Sequence, residues 1–206
     1  MNNNNISFNE DQQDCLQELM NIAYGSATSA ISDILDAFAT LSTPKITILD
    51  TKDLKAQLLE HLKVEDSHFI ASQVLNGKIA GENLFVIDRD SAVNIAKEFD
   101  LEDDEINDNE LSDIILEITN ILSSSTISKL AQEMDTVVSF SPPQIHIINS
   151  INDFENKYLE KFQKVIIIST ELNFNNQNIH GELLILTTDD SILYIKHMLN
   201  KILEDL

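Results

Sequence analysis

From residue 9 to about residue 38, apolar side chains recur at helical spacing, at Leu16, Leu19, Ile22, Ala23, Ala27, Ala30, Ile31, Ile34 and Leu35, and predict one long first helix. Residues 42–50, "STPKITILD", follow as a strand, because Pro44 breaks a helix interior and β-branched residues come after it. The pattern returns to helix over 52–63. It then gives two strands, 68–75 and 78–87, with the hairpin signal Asn76-Gly77 between them. Residues 90–99 are helical in period, whereas 100–110, "DLEDDEINDNE", are acidic, have no apolar period and read as a linker.

The second half runs through the same series: helix 108–134, strand 141–149, helix 153–162, strands 164–172 and 178–186, helix 189–203. "GENLFVIDRDSAVNI" from Gly81 aligns with "GELLILTTDDSILYI" from Gly181 at an offset of one hundred, and "DCLQELMN" from Asp14 with "DIILEITN" from Asp113 at ninety-nine. A duplication with one inserted residue accounts for both offsets. The expected organisation is a flexible start over residues 1–8 and one domain over 9–206 made of two repeats, about 9–105 and 106–206. The expected fold class is α/β with pseudo-twofold symmetry: strands of both halves join one largely antiparallel sheet, and the two long opening helices share one face.

Each opening helix carries an Asp, a Glu four residues later and an Asn three residues after that, with a Pro twenty-three residues beyond: Asp14, Glu18, Asn21 and Pro44, then Asp113, Glu117, Asn120 and Pro143. At about 100° per residue the three polar residues fall within an arc of roughly 60° and form one patch. On the second helix the apolar residues Leu111, Ile114, Ile115, Ile118, Ile121 and Leu122 centre about 130° away, so the patch should face solvent. One turn after each Asn stands a small residue, Gly25 or Ser124. A mid-helix glycine costs about 1 kcal/mol against alanine, so Gly25 predicts that something approaches the helix closely there. On a single helix such residues are ordinary surface solvation. Matched copies amid drifted neighbours (Cys15 against Ile114, Gln17 against Leu116, Met20 against Thr119) point instead to shared use, with common ancestry as the competing explanation. The prolines are expected to mark helix-to-strand turns.

Charge narrows the partners. Thirteen Lys and Arg against thirty-five Asp and Glu give a formal charge of -22, which repels a phosphate backbone or an anionic bilayer and leaves nucleic acid and membrane as poor candidates. The start has no signal-peptide pattern and no apolar run is long enough to span a bilayer, so a cytoplasmic protein is expected. Cys15, the single cysteine, reads as a small buried hydrophobe. The histidines His61, His68, His146, His180 and His197 have no metal-ligand spacing, so no metal site is expected, and four glycines in all make no phosphate-cradling loop.

The doubled motif, Asp14, Glu18, Asn21, Pro44 and Asp113, Glu117, Asn120, Pro143, resembles that of the CheC, CheX and FliY phosphatases of bacterial chemotaxis. Two intact motifs, and a length that leaves no room for the additional flagellar-switch domain of FliY, make CheC the nearest match. The resemblance implies a substrate, the phosphoaspartate of a CheY-like response regulator that brings its own Mg²⁺, and no cofactor of this chain. It implies that Asn21 and Asn120 position the attacking water, that Glu18 and Glu117 engage the regulator's lysine, and that Asp14, Asp113, Gly25 and Ser124 lie in the docking surface. CheD is a further partner of some relatives, but the corresponding segment here, "IINSINDFENKY", lacks the small residues of the docking stretch. The alternative reading is a non-catalytic module that captures phosphorylated regulator.

Overall fold

The computed structural model describes residues 7–35, 39–54, 56, 68–148, 164–174 and 179–205. In chain order the elements are α1 (Glu10–Leu35), β1 (Ala39–Leu41), β2 (Lys45–Asp50), a 3₁₀ turn (Thr51–Asp53), β3 (His68–Gly77), β4 (Gly81–Asp88), α2 (Arg89–Glu98), α3 (Asp108–Glu133), β5 (Val138–Phe140), β6 (Gln144–Ile148), β7 (Lys164–Phe174), β8 (Ile179–Thr187) and α4 (Asp189–Glu204). Polar side chains set the ends of the long helices. The Gln12 amide donates to Asn9 Oδ1 at 2.8 Å while the Asn9 amide donates to Gln12 Oε1 at 3.0 Å, a reciprocal cap on α1. Asn107 Oδ1 accepts from the Asn109 and Glu110 amides at the start of α3. Asp100 and Asp135, at φ 60° and 49°, turn the chain off α2 and α3 in the left-handed conformation that closes many helices.

The strands form one antiparallel sheet in the order β1-β7-β8-β4-β3-β5, with β2 also on β7 and β6 also on β3. The opening strands of each repeat therefore pair with the hairpin of the other: β1 and β2 with β7, β5 and β6 with β3. At the centre β4 pairs with β8, and Leu84 lies opposite Leu184, its own equivalent one hundred residues on. The pseudo-twofold axis passes between these two leucines. Leu75 opposite Gly81 matches Leu172 opposite Gly181, so the first hairpin strands correspond at an offset of ninety-seven. The offsets thus run ninety-nine, ninety-seven, one hundred, and the single inserted residue expected from the sequence is replaced by at least two length changes. Gly81 is required at the centre of the sheet, because a Cβ there would stand 2.0 Å from the Leu186 carbonyl oxygen.

Among the described residues, the helices α1 to α4 all pack on one face of the sheet, over Phe69, Ala71, Phe85, Ile87, Ile166, Ile168, Leu183 and Ile185. α1 and α3 lie against each other, with α2 beside α3 and α4 beside α1. The alternate residues, Ile70, Leu84, Val86, Val165, Ile167, Leu184 and Leu186, form a second cluster on the opposite face together with Leu54 and Ile148. Two apolar residues assigned to the α1 stripe are exposed, Ile22 at 42% and Ile34 at 47%, while Met20 and Tyr24 are buried instead. The buried residues Leu16, Leu19, Met20, Ala23, Tyr24, Ala27 and Ile31 define a stripe from which Ile22 is turned by roughly 140°, and Ile34 lies in the last turn. Phe8 is buried and Lys196 Nζ donates to the Ser7 carbonyl at 2.7 Å, so the end of the start expected to be flexible is held. Asn76-Gly77 does not form a two-residue hairpin loop: both residues belong to β3, Gly77 at φ 131° pairs with Val138 of β5, and Lys78 to Ala80 make the connection. Most of the predicted helix 52–63 and all of 153–162 lie outside the described residues.

Glu182 sits on β8 directly opposite Glu171 of β7. Burial, and then the Glu171 charge, push its carboxyl up from 4.5 to about 7 against the opposing pull of Lys45. A carboxyl that holds its proton more tightly when folded adds stability below its unfolded pKa and loses it as pH rises through about 7. Glu182→Gln should therefore raise the melting temperature at pH 8, with the gain shrinking through pH 7 and absent below about pH 4.5. Thermal denaturation at stepped pH measures it.

Candidate functional site

The motif residues Asp14, Glu18 and Asn21 on α1 and Asp113, Glu117 and Asn120 on α3 are all exposed. The buried stripes of the same helices face the sheet and each other, which leaves both patches on the outer surface of the helical layer. Gly25 is exposed, and a Cβ added there would meet nothing within 4 Å, so no part of the described chain requires that glycine. Ser124 is half-buried and its hydroxyl donates to the Ile121 carbonyl at 3.3 Å. Cys15 is partly buried against the core, and burial pushes its thiol pKa up, away from the reactive thiolate.

The prolines do not stand at helix-to-strand turns. Short strands, β1 and β5, come between each helix and its proline, and the sequence reading missed them because three residues carry too little alternation to show. Leu41 pairs with Leu172 and Lys45 with Ser169, so Ser42, Thr43 and Pro44 face only two residues of β7. Phe140 pairs with Leu75 and Gln144 with Ser72, so Ser141, Pro142 and Pro143 face only two residues of β3. Each proline thus occupies a one-residue β-bulge, a place where a missing amide proton breaks no ladder bond.

A serine closes each bulge in the same way. The Ser42 amide donates to the Glu171 carbonyl at 2.9 Å and the Glu171 amide donates to Ser42 Oγ at 3.0 Å. The Ser141 amide donates to the Val74 carbonyl at 3.0 Å and the Val74 amide donates to Ser141 Oγ at 3.0 Å. The serine carbonyl is also held: Thr170 Oγ1 donates to Ser42 O at 2.6 Å, and Gln73 Nε2 donates to Ser141 O at 2.9 Å. Gln73 and Thr170 are equivalent positions, offset by ninety-seven like their neighbours in the register.

Here the halves diverge. Gln73 Nε2 gives its second proton to Asn120 Oδ1 at 3.0 Å, tying the α3 motif to the bulge. The Thr170 hydroxyl has one proton and spends it on Ser42. Among the described residues nothing donates to or accepts from the Asn21 side chain, which lines an open groove with Tyr24, Gly25, Thr28 and Ser42. On this side the tie between helix and bulge is Gln17 Nε2, which donates to the Pro44 carbonyl at 3.4 Å. Gln73, Ser42 and Ser141 escaped the sequence reading. The repeated Ser two residues before each motif proline was the available signal for the serines; nothing in spacing marks Gln73. Among the described residues no cluster of His, Cys, Asp and Glu could hold a metal ion, and no helix is long and apolar enough to cross a membrane.

Ser42→Ala and Ser141→Ala should each leave one strand amide without its acceptor and cost about 1 kcal/mol. The bulges lie on β7 and β3, with β8 and β4 between them, so the double change should cost the sum. Urea denaturation of the three variants gives the figures.

The family model described as chemotaxis phosphatase CheX matches residues 69–162, which include the α3 motif and Gln73. The flagellar motor switch phosphatase FliY of Bacillus subtilis (strain 168) is 23% identical over 146 residues, 69% of this chain, and the chain spans only 37% of that relative's length. Among solved structures, Thermotoga maritima FliY superposes with a TM-score of 0.75 at 18% identity over 94% of this chain and 98% of that one. The FliM middle domain from H. pylori superposes with a TM-score of 0.59 at 14% identity over 93% and 99%. Residues 69–162 thus carry the pattern of the chemotaxis phosphatase CheX family, and the chain shares the fold of FliY and of a FliM middle domain.

Proposed function

We propose that the chain hydrolyses the phosphoaspartate of a CheY-like response regulator. The observation that carries this reading is the doubled exposed triad, set on the outer flank of two adjacent helices, with each asparagine beside a serine-closed bulge. The fold alone does not decide the matter, since a FliM middle domain shares it. The chemistry asked of the chain is small. Water adds to phosphorus, the bond from phosphorus to the aspartyl oxygen breaks, and the regulator keeps its carboxylate while inorganic phosphate leaves. The regulator's own Mg²⁺ and lysine neutralise the phosphoryl oxygens, so the partner protein need only place the water in line. An amide suits that role because it offers both a donor and an acceptor.

In this reading Asn21 and Asn120 orient the water, while Glu18 and Glu117, one turn earlier, meet the regulator's lysine and set the docking register. Asp14 and Asp113 extend the same contact. The open space over Gly25 admits a partner's backbone close to α1, and the exposed Ile22 next to Asn21 adds an apolar contact. The chain needs no metal or cofactor of its own. The segment a CheD-like deamidase would dock lies almost wholly outside the described residues and lacks the small residues that docking would use. The second reading, capture of phosphorylated regulator without turnover, differs in what the asparagines do.

Changing both Asn21 and Asn120 to Ala should lower kcat about a hundredfold, about 2.7 kcal/mol by analogy with an oxyanion-hole donor, and spare binding of regulator held in its phosphorylated form by a beryllofluoride mimic. Either change alone should leave partial activity. Changing both Glu18 and Glu117 to Ala should weaken that binding and raise KM. A double asparagine variant that binds normally and releases phosphate at the wild-type rate would show that the asparagines do not position water.

A further inference from the structure

The two motif asparagines are held differently, and the difference fixes which way one of them faces. Gln73 is 1% exposed, on β3 beneath α3. A backbone carbonyl can only accept, so the side of the Gln73 amide facing Ser141 O, at 2.9 Å, must be its NH₂ group. The same NH₂ reaches Asn120 at 3.0 Å, and that contact is a hydrogen bond only if Asn120 turns its Oδ1 inward. The Asn120 NH₂ group then points outward, away from Gln73, with the second lone pair of Oδ1 still free. The orientation of an exposed amide is thus imposed by a carbonyl in the bulge, relayed through one buried side chain.

The arrangement is kept at a cost. Gln73 Oε1 has no partner among the described residues, and Asn83, directly opposite Gln73 on β4 and fully buried, has none for either end of its amide. Buried polar groups without partners are destabilising, and the equivalent positions in the other repeat are the smaller Thr170 and the apolar Leu183. The other repeat keeps the bulge and its serine without this pair of amides, so the pair is not needed to hold the bulge.

We infer that Gln73 is a positioning residue for Asn120, and that it makes the α3 motif the faster of two unequal sites. The inference rests on the phosphatase reading for its rate consequence only. A water-orienting amide that must first find its rotamer acts in a fraction of encounters; one already fixed acts in nearly all of them. Gln73 touches neither water nor regulator, so it should affect the rate at saturation and not the affinity.

The test isolates each site. In protein whose α1 motif is silenced by Asn21→Ala, Gln73→Thr keeps the bond to Ser141 that Thr170 shows to be feasible and removes only the bond to Asn120. It should lower kcat about five- to tenfold at unchanged KM, the factor that one net hydrogen bond carries. Gln73→Met, which preserves the volume, should do the same if the threonine variant is poorly folded. A kcat that does not fall, or a fall of equal size in protein silenced instead by Asn120→Ala, where Gln73 has no amide to hold, overturns the inference. The hydrogen bond has its own readout: in the ¹H–¹⁵N spectrum of the otherwise wild-type protein the Asn120 side-chain NH₂ pair should shift on either substitution. Asn120 resonances that stay in place overturn the inference whatever the activity. Absence of turnover by the wild-type protein overturns the phosphatase reading separately.

Discussion

The antiparallel pairing of β4 with β8, centred on Leu84 opposite Leu184, is the constraint from which the rest of the molecule follows. A slip of one residue would exchange the residues beneath the helices, Phe85 and Ile87, for those of the other cluster, Leu84 and Val86. The contact over Gly81 permits no side chain there, which pins the same register sterically. With that centre fixed, β3 and β7 fall outside it on either side, and their free edges are filled by the opening strands of the opposite repeat. The helices α1 and α3, each leading into such an exchanged strand, are thereby brought side by side.

That exchange decides how the site is made. Each motif contributes its polar triad from a helix and its proline from a bulge, and the bulge exists only because an exchanged strand meets a hairpin of the other repeat out of step by one residue. Residues that support a motif therefore come from the opposite half of the chain. Gln73 of the first repeat holds Asn120 of the second, and Thr170 of the second repeat closes the bulge carrying Pro44 of the first.

What the sequence revealed, and what it hid, divides along the range of the interactions. The long helices, their exposed triads and the duplication were legible because they are written in periods and offsets of nearby residues. The exchange of strands was not, since period-two alternation shows that a strand exists and says nothing of its neighbour. The three-residue strands β1 and β5 were too short to show, and the prolines were placed at helix-to-strand turns because the element between was missed. Ile22 and Ile34 follow helical spacing, yet the stripe that packs is set by the position of α3 and the sheet, and one residue lies off it while the other lies beyond its end. Gln73 is an ordinary polar residue in a strand until the fold puts Ser141 on one side of it and Asn120 on the other.

The exchanged strands also bear on how such a molecule can change. One repeat alone would leave the edges of its hairpin and of its opening strands unpaired, and two copies would close them by associating about a twofold axis, with stability tied to concentration. Joined in one chain, the copies stay together at any dilution. They also escape a rule that binds every homodimer, in which any substitution appears at both sites at once. Glutamine at 73 and threonine at 170 are possible together only because the symmetry is no longer enforced by a shared gene segment, so one motif can be adjusted while its mate is left as it was.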